Sequence, residues 1–250
     1  MEFFIKICLA HVLADFVFQP NHWVKHKEQQ TYRSPYLYVH VILYYLLTML
    51  MLGFESKDWI PALVVAISHG LIDTLKCILN RLWHRKSSVD TPKIHYPIYS
   101  FLIDQFLHLA ILIVWAFGFE TQEWSHWFPL PANTWMWLLC MVLLTQVGSV
   151  LIRIMVARWI PQVPTPEWTL QNAGTYIGML ERLMVFAFIV TGHWEGIGFL
   201  IAAKSVLRYG DLKEVHDRRL TEYVLIGTLL SFGWALAIGL FYLEVIKLLA

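Results

Sequence analysis

Eight apolar stretches, at roughly 3–19, 36–54, 59–79, 98–118, 133–156, 175–191, 194–209 and 222–246, are separated by clusters of Pro, Gly and charged residues. About 20 apolar residues in helical form match the ~30 Å hydrocarbon core of a bilayer, where every backbone polar group must be satisfied internally. The pattern predicts an all-α fold: a polytopic transmembrane helix bundle of about eight apolar segments, with residues 1–250 as a single integral membrane domain. Composition agrees, because at 58% hydrophobic, 15% charged and a mean hydropathy of +0.54 the chain is too apolar for an ordinary soluble domain. The sixth and seventh stretches, divided only by Gly192-His193-Trp194, read either as two tilted helices or as a re-entrant hairpin.

A net charge of +1 supplies no basic field for nucleic acid, and no GxxxxGK[ST] or paired-Cys zinc motif is present. Cys8, Cys77 and Cys140 lie singly in apolar stretches, which argues against a disulfide framework. Cys8 stands three residues before His11 and reads as a small apolar filler rather than a sulfur ligand. MEFFIKICLAHVLADF lacks a small-residue cleavage pattern, so a retained first helix is expected, with no soluble domain before or after the membrane part.

Lys and Arg gather in alternate connections: Lys25, Lys27 and Arg33; then Arg81, Arg85, Lys86 and Lys93; then Arg158; then Lys213, Arg218 and Arg219. The intervening connections carry almost none, so the positive-inside rule makes the odd-numbered ones cytoplasmic and, for eight spans, places both termini outside. Trp23, Trp59, Trp124, Trp127, Trp135 and Trp159, near segment ends, suit interfacial belts. Asn21 to Arg33 reads as a solvated connection, with an interfacial lipid gate as the alternative.

Three apolar stretches in residues 1–120 each carry a His and an Asp four residues apart: His11/Asp15, His69/Asp73 and, in reversed order, Asp104/His108. A spacing of four stacks both side chains on one helix face. The first and third stretches run inward and the fourth outward, so the reversal brings the pairs to one depth. The aspartates then lie ~6 to 9 Å inside the cytoplasmic boundary, with the imidazoles a turn deeper. Uncompensated carboxylates in hydrocarbon cost several kcal/mol each, so a cation or proton must hold them. Mixed imidazole and carboxylate groups favour Zn²⁺ first, then Mn²⁺ or Fe²⁺, as one ion or two. The expected ligands are His11, Asp15, His69, Asp73, Asp104 and His108, with Asp15, Asp73 or Asp104 as base for an attacking water. Gln19 and Gln105 are candidate substrate contacts, and His40, at the same inferred depth, is either a packing histidine or a seventh partner.

Residues 133–250 carry a second polar group, Glu181 and Arg182 with Lys204, Ser205 and Arg208. Glu181 offsets one cation; the surplus among Arg182, Lys204 and Arg208, with Ser205, suits a phosphoryl group. AHVLADFVFQ, ISHGLIDTLK and LIDQFLH, followed by YIGMLERL, IGFLIAAKSVLRYG and EYVLIGTLLSF, resemble the multi-spanning membrane proteins of domain of unknown function 3307. That resemblance implies a bacterial inner-membrane location and brings no established activity. The His/Asp helices are also loosely similar to predicted membrane-bound metal-dependent hydrolases.

The leading expectation is a metal-dependent hydrolase of the cytoplasmic membrane acting on a lipid-linked or inner-leaflet phosphoester, with the bilayer and a lipid phosphate as partners. A cation or proton transporter is the rival, and a scaffold or sensor with a structural metal is a third class. Transport requires polar residues across both membrane halves, whereas Val41 to Leu52 and Leu109 to Phe117 read as almost wholly apolar.

Overall fold

The computed structural model describes residues 1–55, 57–86, 96–118, 130–157, 172–209 and 215–249, with side chains described at 1–55, 57–82, 98–118, 130–157, 172–206 and 222–249. All the elements among them are helical: α1 (Glu2–Phe16), α2 (Asn21–Gln30), α3 (Pro35–Leu52), α4 (Trp59–Lys86), α5 (Tyr96–Gly118), α6 (Ala132–Val142), α7 (Gly148–Val156), α8 (Ala173–Thr191), α9 (Trp194–Tyr209) and α10 (Val215–Leu249). A 3₁₀ turn, Thr31–Arg33, follows α2, and a π-helical segment, Leu143–Val147, joins α6 to α7. The loop charges Lys93, Arg158 and Lys213, the belt residues Trp124, Trp127 and Trp159, and the side chains of Arg85, Lys86, Arg208, Arg218 and Arg219 lie outside the described residues.

Each of the eight apolar stretches contains a helix, and among the described residues six helices are long and apolar enough to cross a membrane. The count rises to seven if α1 and α2 with its 3₁₀ turn form one broken span, bent by 84°. A count of about eight is therefore not reached among the described residues: the 15 residues of α1 rise about 22 Å, short of the hydrocarbon core, and 16 residues of α9 are described. Ile5, Ile7, Leu9, Ala10 and Ala14 are buried on all sides of α1, so it meets neighbouring helices rather than lipid.

The chain divides into two compact units, Met1–Leu139 and Cys140–Ala250. In the first, α1 packs on α3 and α5, and α4 packs on the same two helices, which closes a four-helix ring. Asn21 to Arg33, expected as a solvated connection, is helical and mostly exposed, with one packed face. It forms α2, which packs against α3 and α4 and buries one of its charged side chains, Lys27. Pro35 opens α3 at a position where its missing N–H costs nothing. Gly53, at φ +109°, ends α3 in the left-handed region that a side chain would resist. In the second unit, α8 packs on α7, α9, α10 and the π-helical segment.

Candidate metal centre

In α4, His69, Asp73 and Lys76 follow one another at four and three residues, so one face of the helix carries an imidazole, a carboxylate and an ammonium. In α3, His40, Tyr44 and Thr48 repeat at four and are fully buried. In α1, His11 and Asp15 form the matching pair, and α5 contributes Asp104 and His108. The four-helix ring turns these faces toward one another, and the six His/Asp side chains converge with His40 in the first unit.

The tightest part joins three helices. His40 Nε2 lies 2.9 Å from His69 Nε2 and 3.1 Å from Asp15 Oδ1, and His69 Nε2 lies 3.4 Å from the same oxygen. His108 has ring centroids 4.3 Å from His69 and 4.9 Å from His11, stacked on the latter. Its Nδ1 donates to the Asp104 carbonyl at 2.9 Å, the usual back-bond of a helical histidine, which leaves Nε2 as a lone-pair acceptor. That Nε2 is buried with no hydrogen-bond partner. His11/Asp15/His69, His40/His69/Asp73 and Asp73/Asp104/His108 each bring three ligand atoms within 4.8 Å of one another.

Two lysines complete the electrostatics. Lys27 Nζ stands 2.5 Å from Asp73 Oδ2, and Lys76 Nζ stands 2.8 Å from Asp104 Oδ2. Its sequence context puts Lys27 among loop charges; the chain bends by 84° between α1 and α2, and Lys27 is buried on Asp73. Lys76 carried a readable signal, since it falls on the His69/Asp73 face. Gln105 donates to Asp104 Oδ2 at 3.2 Å and to Asp15 Oδ2 at 3.5 Å, while its Oε1 lies 3.3 Å from His11 Nε2. It bridges two carboxylates and an imidazole. Gln19, beyond the end of α1, keeps a buried Nε2 without a hydrogen-bond partner.

The close approach of α3 to α4 beside His69 depends on Gly70, where an added Cβ would meet Val41 Cγ2 at 2.6 Å. Valine is stiff, so the backbones must part. Gly70→Ala is expected to lower stability by about 1–3 kcal/mol, the usual range for overpacking. An unchanged melting temperature in detergent would show that the contact yields.

The residues expected to hold a phosphoryl group have other partners in the second unit. Arg182 donates Nε to the Leu144 carbonyl, Nη1 to Ser231 Oγ at 3.0 Å, and Nη2 to the Thr145 carbonyl at 3.2 Å and Ser149 Oγ at 2.6 Å. Leu144 O and Thr145 O both belong to the π-helical segment, so the guanidinium brackets that irregularity. Lys204 pairs with Glu181 at 2.6 Å, and Ser205 donates to Ile201 O in its own helix. The side chain of Arg208 lies outside the described residues.

The described residues form an all-helical protein with several helices fit to cross a membrane, and its first unit holds a buried histidine–aspartate–lysine cluster. The chain belongs to the family described as protein of unknown function DUF3307, whose model matches residues 3–139. That stretch nearly coincides with the first unit and contains the whole cluster, whereas YIGMLERL, IGFLIAAKSVLRYG and EYVLIGTLLSF lie beyond it. No curated relative and no solved structure matches the chain.

Proposed function

We propose that the first unit is a divalent transition-metal centre within the membrane and that it serves as a metal-dependent hydrolase of a phosphoester. The triangle of His40 Nε2, His69 Nε2 and Asp15 Oδ1, with edges of 2.9, 3.1 and 3.4 Å, carries the reading. Ligands at the 2.0–2.1 Å of zinc–nitrogen and zinc–oxygen bonds stand about 3.3 Å apart in a tetrahedron. His40, His69 and Asp15 would therefore hold one face of the ion, with Asp73, whose Oδ2 lies 3.7 Å from His40 Nε2, and His11, which shares a ligand group with Asp15 and His69, as further donors. A bound metal supplies a water acidic enough to attack at neutral pH. Among the chain's own groups, Asp104 is placed to accept a proton: Oδ1 is buried without a hydrogen-bond partner, while Oδ2 is engaged by Lys76 and Gln105.

Charge favours one ion over two. Asp15, Asp73 and Asp104 face Lys27 and Lys76, so with neutral imidazoles the cluster carries one net negative charge. The lysines thus supply the cation for two of the three carboxylates. Elemental analysis of the detergent-purified protein is expected to give one equivalent of zinc, manganese or iron per chain. Folded protein that binds none of these after dialysis against each would sink the reading.

One observation favours transport as a second reading. Val41 to Leu52 is less apolar inside than its composition suggests, because Tyr44 and Thr48 are fully buried, and Lys6, a turn and more along α1 from His11, is buried as well. Polar groups thus continue past the cluster. Divalent-ion flux into liposomes without any turnover would move the assignment to transport.

A further inference from the structure

Lys27 and Lys76 do more than neutralise carboxylates if the cluster takes up a metal. Both ammoniums sit on aspartates that belong to one potential ligand group, since Asp73 and Asp104, with His108, have ligand atoms within 4.8 Å of one another. Lys27 comes from α2 and is buried, with a side chain 5% exposed; Lys76 comes from α4 and is 27% exposed. The two cations therefore come from two helices and each holds a different carboxylate of one ligand group, Lys27 on Asp73 and Lys76 on Asp104.

A divalent ion changes the balance. The cluster's net charge goes from one negative to one positive, and each aspartate drawn to the metal shares its charge with an ammonium that previously had most of it. A buried cation without a full counter-ion is costly, so the metal-loaded cluster favours an anion where the empty one opposes it. An oxyanion with several acceptor oxygens meets that requirement best, because lysine binds phosphate as a point charge with rotatable donors while one phosphate oxygen reaches the metal.

We propose that Lys27 and Lys76 form the phosphate-binding pair of the metal-loaded cluster, and that metal and phosphate bind it cooperatively. The ligand class is a phosphate monoester or free phosphate. This inference rests on the metal-centre reading above and assigns its anion site to the first unit, to residues other than Arg182, Lys204 and Arg208. By linkage, the factor by which metal tightens phosphate binding equals the factor by which phosphate tightens metal binding.

The test is calorimetric titration of detergent-purified protein, zinc-loaded and metal-free, with inorganic phosphate in one arm and a water-soluble short-chain phosphatidate in the other. Metal content is measured on the same samples. Wild type loaded with zinc is expected to bind phosphate at least tenfold more tightly than metal-free protein. Lys76→Met is expected to keep its zinc and lose about tenfold to a hundredfold in phosphate affinity, the worth of one charge-assisted hydrogen bond. Lys27→Met should do the same, and if its burial makes that variant unfold, the more exposed Lys76 still decides the matter. Tighter binding of the phosphatidate than of phosphate identifies a lipid headgroup as the source, and the reverse identifies a soluble one; either supports the proposal. Equal phosphate affinity in zinc-loaded wild type and Lys76→Met, or equal affinity with and without zinc, overturns it while leaving the metal centre standing. Absence of zinc from folded wild type overturns the metal centre itself and this proposal with it.

Discussion

His69→Ala is expected to reduce zinc affinity by about a hundredfold or more while the helical fold persists. Outer partners of a metal site typically cost tenfold to a hundredfold when removed, and His69 holds a more central place than an outer partner. Its Nε2 is 2.9 Å from His40 Nε2 and 3.4 Å from Asp15 Oδ1, and it belongs to two of the three ligand trios. The geometry also ranks its neighbours. His40→Ala should lose as much, because it removes the other imidazole of the triangle. His11→Ala should lose less, because His11 Nε2 is taken up by Gln105 at 3.3 Å and stands 3.9 Å from Asp15 Oδ2. Competition with a zinc chelator measures all three, and circular dichroism separates lost ligation from lost structure. Equal affinities across wild type and the three variants would place any metal elsewhere.

The three His/Asp pairs were legible because a helix converts a spacing of four into a shared face, and because the reversed order in α5 compensates for its direction. Lys76 carries the same signal, as the next position on the His69/Asp73 face, although it is not among the residues singled out from spacing. Lys27 carries no such signal. Nothing in Asn21 to Arg33 distinguishes it from Lys25, which stays exposed; the distinction is made by the sharp turn after α1 and by the packing of α2 on α4. His40 lay between the two cases, since its partners His69 and Asp15 come from other helices but its own face, with Tyr44 and Thr48, repeats at four. The number of spans was the least legible feature. Apolar content does not say whether a helix faces lipid or other helices, and α1 is buried by its neighbours although it is too short to cross alone. The Arg182 cluster shows a related limit: an arginine that suits a phosphate suits backbone carbonyls and hydroxyls equally well, and a π-helical segment leaves no mark that charge patterning detects.

Arg182→Met is expected to destabilise the second unit by about 3 kcal/mol or more. The guanidinium makes hydrogen bonds to the Leu144 and Thr145 carbonyls and to Ser149 and Ser231, tying the π-helical segment, α7 and α10 to α8. Hydrogen bonds between membrane helices average ~0.6 kcal/mol and those to charged groups in general reach ~1.5–3 kcal/mol, so four together give this order. The site is shaped for the residue: a Cβ on Gly148 would lie 2.9 Å from Arg182 Nε and 3.0 Å from the Trp234 ring, and Trp234 Nε1 itself donates to Leu143 O at 2.9 Å. A planar fork can reach two carbonyls and two hydroxyls at once, and an ammonium on a flexible stem cannot, so Arg182→Lys should recover only a small part of the loss. Thermal unfolding in detergent, followed by tryptophan fluorescence, measures both. If Arg182 instead bound phosphate, its substitution would leave the melting temperature unchanged and weaken phosphate binding to the zinc-loaded protein. The bracket role predicts the opposite: a lowered melting temperature, with phosphate affinity at the wild-type value in the fraction that remains folded.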